Sequence, residues 1–241
     1  MCDALPQSRS LSRRSLLAGA GALYTAGLLS VPRALAEQAA NESPPNAISP
    51  DDALKRLMEG NARYAANAPQ ERDYSAGRAA RVTAQYPIAA ILGCSDSRVA
   101  PELTFDQGPG DVFVVRIAGN LVDDDGLASL EYAVKFLGVP LIMVLGHKNC
   151  GAVDAAVAVV TSRKELPGHL PDLIEAIKPA VIAAHGRHPS DLVAAAIEEN
   201  VRLNVKRLNV DKPIISEAVA ANKIKVVGGI YDLATGKVGL L

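Results

Sequence analysis

Four short aliphatic runs constrain this chain more than any other feature. Residues 87–93, 111–117, 139–146 and 223–231 are each seven to nine positions long and apolar at nearly every one. The first is continuously apolar and too short for a core helix, so it reads as a strand buried on both faces; 111–117 and 139–146 are similar, and 223–231 reads as a fourth strand. Between the runs the period turns helical. Ser49 caps a first helix with Pro50 at its first position, and Leu54, Leu57, Met58 and Ala65 recur at helical spacing. Further helices are predicted over 76–85, through Leu127, Leu130, Val134 and Leu137 to Gly138, and over 150–160, 171–184 with a kink at Pro179, 190–208 and 213–222. A turn at 234–236 leads into a short last strand. Strands separated by helices imply an α/β fold, a mainly parallel sheet flanked by helices, in one domain over 51–241. The composition agrees: 49% of residues are hydrophobic but only 4% aromatic, with no Trp, so aliphatic groups must fill the core.

The segment before that domain reads differently. Ser12-Arg13-Arg14-Ser15-Leu16-Leu17 sets a twin arginine ahead of an uncharged stretch from Leu16 to Pro32, and Ala34-Leu35-Ala36 follows as a small-residue cleavage site. The stretch is short for a span of ~20 apolar residues and rich in Gly, Ala, Ser and Thr, so a cleaved twin-arginine signal over 1–36 is favoured over a membrane anchor. Residues 37–50, small, polar and proline-bearing, read as a flexible linker. The signal takes four Arg and one Asp with it, leaving 21 basic against 25 acidic residues, which gives no footprint for nucleic acid. The export machinery is then a partner, the destination is periplasmic or secreted, and a folded passenger suits a protein loaded with a metal or cofactor before export.

Polar chemistry gathers where two of the apolar runs end. Cys94-Ser95-Asp96-Ser97-Arg98 follows the first run and His147-Lys148-Asn149-Cys150-Gly151 the third. In open parallel sheets ligands sit beyond the carboxyl ends of the strands, so the two segments could share one crevice. An extended 94–98 would turn Cys94, Asp96 and Arg98 to one side, and a helical first turn would bring His147 and Cys150 onto one face. Cys94, His147 and Cys150 offer two thiolates and an imidazole, a set suited to zinc with its fourth position open. Three other readings compete. Cys94 and Cys150, the only cysteines beyond the signal's Cys2, could pair as a disulfide in an exported protein. Cys94 and Arg98 could belong to a phosphatase loop, although three residues separate them where that loop needs five. The site could also hold zinc without catalysis, which would leave Asp96 and Arg98 unused.

The two motifs, with His147 standing 53 positions after Cys94, resemble those of the β-class carbonic anhydrases, and the resemblance covers roughly 51–241. Further matches are Gly110-Asp111-Val112-Phe113-Val114-Val115-Arg116, Ala118-Gly119-Asn120 and Glu131-Tyr132-Ala133-Val134. The family's Arg-Asn-x-Ala-Asn run stands here as Arg116-Ile117-Ala118-Gly119-Asn120. The resemblance implies reversible hydration of CO2 to bicarbonate and a proton, with one zinc per chain on Cys94, His147 and Cys150 and an Asp96–Arg98 dyad orienting the hydroxide that zinc supplies. It assigns Gln85, Phe113, Tyr132 and Gly151 to a plant-type substrate pocket, partly furnished by the partner in a homodimer or higher even oligomer. The variant with an inhibitory bicarbonate site uses a Trp, and this chain has none. Hydrolysis of carbonyl sulfide or carbon disulfide, linear analogues of CO2, is the alternative chemistry. His169, His185 and His188 read as ordinary surface histidines, and no proton shuttle stands out.

Overall fold

The computed structural model describes residues 44–241. The signal expected over 1–36 and the first part of the linker lie outside the described residues. The rest of that linker belongs to the domain: Asn46 is buried, and its Nδ2 donates to Pro87 O at 3.1 Å and Leu137 O at 2.7 Å. The composition around Pro44 and Pro45 hid this anchor, because a single Asn that satisfies two buried carbonyls has no periodic signature.

The chain then runs through α1 (Pro50–Ala65), α2 (Tyr74–Ala80), β1 (Ala89–Gly93), α3 (Pro101–Thr104), β2 (Val112–Arg116), α4 (Asp124–Leu137) and β3 (Leu141–His147). It continues through α5 (Gly151–Ser162), α6 (Leu170–His185), α7 (Leu192–Val210), α8 (Ile214–Ala220), β4 (Lys225–Tyr231) and β5 (Val238–Leu240). All the predicted strands form. The helix expected over 76–85 starts earlier and stops sooner, because the Asp73 carboxylate caps the amides of Ser75 and Ala76 and Pro87 disfavours helix just ahead of it. Gln85 is therefore on an irregular segment. Pro179 lies inside α6, which continues to His185. The single turn of α3 had no sequence signal beyond Pro101 at its start.

The sheet order is β2-β1-β3-β4-β5, with the first four strands parallel and β5 antiparallel on the edge. Alternate residues of each strand feed opposite layers. Ala89 and Ile91, with Leu141, Met143 and Leu145, pack under Ala53 and Leu57 of α1. Ala90 and Leu92, with Ile142 and Val144, pack under Leu130 of α4, Val201 and Leu208 of α7 and Ile215 of α8. Burial on both faces is the reason these strands show no polar alternation. Gly138, at φ +66°, ends α4 in the left-handed conformation that glycine adopts without strain.

The N-terminal arm is tied down by charge. Buried Asp106, just after α3, receives Arg63 Nε at 2.6 Å and also pairs with Arg72. Burial would raise its carboxyl pKa, but Arg72, Arg63 and the Gln70 amide more than offset that and hold it below the usual carboxylate range.

The strand order places the site. The chain leaves β1 for β2 on one side, then crosses back to β3 on the other, so the connections diverge above the carboxyl ends of β1 and β3. Gly93 is opposite Leu145 in the register, which brings Cys94 and His147 to the same end of adjacent strands.

Candidate metal centre

Cys94 follows β1, His147 is the last residue of β3, and Cys150 is the N-cap residue of α5. Their ligating atoms all lie within 4.8 Å of one another, and all three residues are buried. The geometry that joins His147 to Cys150 is not the helical turn expected from their spacing. Cys150 is extended, and a turn at Lys148–Asn149, with Asn149 at φ +55°, joins the two residues. Likewise 94–98 is not extended. The Val99 amide donates to Asp96 O, and this turn folds Arg98 back onto the carboxylate it follows.

Three observations fit this group to a tetrahedral cation. The Cys94 and Cys150 sulfurs are 4.0 Å apart, twice a disulfide bond length, and the cysteines are free. Two thiolates on one tetrahedral zinc, each at ~2.3 Å, would stand about 3.8 Å apart. His147 Nδ1 lies 2.9 Å from Lys148 O, which sets it as the protonated nitrogen and leaves the lone pair on Nε2. That Nε2 is buried and has no hydrogen-bond partner among the described residues. A buried acceptor without a donor is costly unless something else takes its lone pair.

The electrostatics point the same way. The hydrogen bond from Cys150 pulls the Cys94 thiol well below its ordinary value against the opposing effect of burial, and His147 and the Gly119 amide help. Cys150 is pushed far up, first by that bond to Cys94, then by burial. Two thiols this close share one negative charge readily and a second only when a cation compensates it. Burial disfavours a charged His147 ring, but the neighbouring Cys94 thiolate outweighs it and raises its pKa.

Asp96 sits in a fork. Arg98 Nε reaches Oδ1 at 2.9 Å, Arg98 Nη2 reaches Oδ2 at 2.7 Å, and the Arg98 amide adds a bond to Oδ1 at 3.0 Å. The Arg98 side chain, foremost, holds the carboxyl well below the usual range, against a smaller effect of burial. Oδ1 thus takes two donors and Oδ2 one, and it is Oδ2 that lies 3.8 Å from His147 Nε2.

The expected substrate residues gather elsewhere. Phe113 is opposite Ala90, four residues before Cys94, so its backbone is about 13 Å back along the strands from the cysteine. Its ring lies 6.5 Å from that of Tyr132, and Gln85 and Tyr132 line one open groove of about 710 Å³ with Arg81, Tyr86, Gly110 and Phe136. None of Cys94, His147 and Cys150 lines that groove. Gly151 begins α5 beside Cys150, and a Cβ there would meet nothing within 4 Å.

A family model described as carbonic anhydrase matches residues 89–238, more than half of the chain. This chain is a member of the carbonic anhydrase family. It is 42% identical over 190 residues to carbonic anhydrase 2 of Mycobacterium tuberculosis, covering 78% of this chain and 91% of that protein. It is 41% identical to a carbonic anhydrase of Mycolicibacterium smegmatis, covering 80% and 93% respectively. Solved structures point to the β class. A tetrameric β-carbonic anhydrase of Sordaria macrospora superposes with a TM-score of 0.63 at 29% identity, covering 79% of this chain and 97% of that one. A β-carbonic anhydrase of Aspergillus fumigatus gives 0.64 at 26% identity, covering 79% and 89%. The mainly parallel sheet flanked by helices is thus the fold of β-carbonic anhydrases.

Some groups that hold the candidate metal centre carried no role in the sequence reading. Arg116, at the end of β2, donates Nε to Cys94 O at 3.0 Å and Nη2 to Asp96 O at 2.6 Å, fixing the backbone of a candidate ligand and of Asp96 together. The Gly119 amide donates to Cys94 Sγ at 3.2 Å. Both residues sit in a quoted motif, but spacing alone gave no direction for them. Asn200 and Asn204 of α7 were missed outright. Their signal was present: two asparagines four apart among the buried Ala196, Ile197, Val201 and Leu208 of a core helix face.

Proposed function

We propose that this chain is a zinc-dependent carbonate dehydratase that interconverts CO2 and bicarbonate. The observation that carries the reading is the buried Nε2 of His147, without a hydrogen-bond partner among the described residues, in a group whose ligating atoms lie within 4.8 Å of one another, and 3.8 Å from Asp96 Oδ2. Cys94, His147 and Cys150 would hold the ion. Zinc supplies hydroxide near neutral pH by lowering the pKa of water toward ~7, less far where two thiolates balance its charge.

Asp96 Oδ2 has a lone pair left after Arg98 is served, and it faces the cluster. It accepts a hydrogen bond from the attacking water or hydroxide and turns a lone pair toward the carbon of CO2. Arg98 keeps the carboxylate ionised and oriented, which prevents it from swinging onto the metal group. Gly151, which begins α5 beside Cys150 and has open space where a Cβ would stand, would let a substrate oxygen approach the backbone there.

Gln85, Phe113 and Tyr132 complete the pocket from a second copy of the chain. Two features support this: Gln85 and Tyr132 line a groove that includes none of the metal-group residues, and the surface around them is apolar, with Phe136 73% exposed and Val82 81%. Large exposed apolar groups gathered at one groove favour burial against a partner. An even oligomer follows, with the Gln85 amide polarising CO2 against the Phe113 and Tyr132 rings. The twin-arginine segment supports export of the loaded enzyme to the periplasm or beyond. The test is zinc content with CO2 hydration and carbonyl sulfide turnover on one sample. His147→Ala should lose both metal and hydration. Full activity without zinc would end the reading, and faster turnover of carbonyl sulfide than of CO2 would reassign the substrate.

A further inference from the structure

The 117–122 turn enters the core beside the metal group without a sheet partner for its carbonyls. Ile117 N donates to Gly93 O and Asn120 N to Ile117 O, and Gly119 stands at φ +77°. Helix α7 supplies what the sheet does not. Asn200 Nδ2 donates to Gly119 O at 2.7 Å, Asn204 Oδ1 accepts from Val122 N at 2.8 Å, and Arg207 Nη1 donates to Val122 O at 2.6 Å. Asn204 Nδ2 in turn donates to the backbone Asn200 O at 2.8 Å and to the Asn200 Oδ1 at 3.3 Å, so Asn204 also braces the Asn200 side chain. Asn200 is 2% exposed and Asn204 8%, in an otherwise aliphatic layer. Buried amides are tolerated there only because each is paired.

The other side of Gly119 faces the metal group, where its amide donates to Cys94 Sγ. Asn200 therefore grips the peptide on one side of the Gly119 Cα while the peptide on the other side points its N–H at the sulfur. The same helix also seats β3. A Cβ at Gly146, directly before His147, would lie 2.6 Å from Val201 Cγ2, so Val201 presses on backbone one residue from a second candidate ligand.

We propose that Asn200 is a positioning residue for the metal centre, acting through Gly119 to hold the amide that orients the Cys94 thiolate. This rests on the zinc reading above. An N–H at a thiolate stabilises its negative charge and fixes which lone pair faces the ion. Without Asn200, the Gly119 carbonyl loses its buried partner, the turn relaxes, and the amide leaves the sulfur.

The experiment compares Asn200→Leu, of nearly the same shape, and Asn200→Ala with Asn61→Leu. Asn61 is a control of equal structural weight: 3% exposed, with bonds to Thr104 O, Gly236 O and Val238 N, none of them reaching the metal group. Zinc affinity is measured against a chromophoric chelator, and the sulfur-to-metal charge-transfer band is recorded with cobalt(II) in place of zinc. Loss of a partner that orients a ligand commonly weakens metal binding about 10- to 100-fold. That loss is expected in both Asn200 variants, with the cobalt band moved to longer wavelength. Asn61→Leu should melt at lower temperature yet keep wild-type affinity and band position. Wild-type affinity with an unmoved band in whichever Asn200 variant folds would overturn the proposal, as would an equal loss in Asn61→Leu. A wild-type protein that binds no zinc would instead overturn the metal reading, and this proposal with it.

Discussion

Replacing Asp96 by Asn is the sharpest test of the dyad, because the structure fixes what an amide must do there. The two side chains have the same shape, but a carboxylate offers only acceptors and an amide has one acceptor and one donor end. Oδ1 receives two bonds, from the Arg98 amide and Nε, and Oδ2 receives Nη2. The amide oxygen would take the Oδ1 place, where two donors wait. Its NH2 would then oppose Arg98 Nη2 and present N–H, rather than a lone pair, to the attacking water. The flipped amide is no better, since it sets its NH2 against two donors instead of one. A fork built for a carboxylate therefore leaves either orientation in conflict.

Loss of a positioned group that accepts a proton or orients the nucleophile commonly costs about 10²- to 10⁴-fold in rate, and a decrease of that order is expected for Asp96→Asn. Because Arg98 holds the wild-type carboxyl well below the usual range, it is ionised throughout the neutral and alkaline range. The decrease should then be the same at every pH from about 6 to 9 and should not vanish at one end, since a carboxyl with an ordinary pKa of ~3.9 or lower does not titrate there. Stopped-flow hydration of CO2 with an indicator, and zinc measured on the same samples, separates lost chemistry from lost metal. Arg98→Ala and the double variant complete a cycle: if the two act as one unit, the double should be no slower than the slower single. A zinc-replete Asp96→Asn enzyme within about threefold of wild type would lack any effect of the size expected for such a group, and the dyad would be structural only.

Assembly of the pocket can be tested by complementation. A Gln85→Ala chain co-expressed with a His147→Ala chain should recover activity that neither has alone if Gln85 acts across the interface, and no recovery would place the whole pocket in one chain. Asp106→Asn addresses the arm. Its depressed carboxyl pKa contributes stability that is present above about pH 3.9 and lost as pH falls through the folded value. The variant should lose about 1–3 kcal/mol at pH 7, from charge-assisted bonds to Arg63 and Arg72, and should show a flatter acid limb in thermal melts; equal wild-type and variant melts at pH 7 would dismiss the ion cluster as a fastening. Replacing Arg13 and Arg14 by Lys should keep the protein in the cytoplasm in fractionation experiments, and unchanged export would reject the twin-arginine route.

The legible and illegible parts of the molecule divide along a physical line. Strands were readable because β1 and β3 are buried on both faces, so Ala89–Gly93 and Leu141–His147 could tolerate no polar residue until their carboxyl ends, where Cys94 and His147 stand. The candidate ligands were readable for the same reason, since a parallel sheet places its chemistry where its strands stop. What joins them was not readable. Asp96 meets Arg98 through a turn, His147 meets Cys150 through a left-handed Asn149, and Asn200 meets Gly119 across 81 residues. Each is a single hydrogen bond or backbone torsion with no period to betray it. Periodicity reports which face of an element is dry; it carries no information about which buried amide answers which buried carbonyl. Those pairings depend on the packed geometry of α7 over the sheet, down to Val201 against Gly146. The residues that bear the proposed chemistry are thus local in sequence, while those that hold them in place are distant.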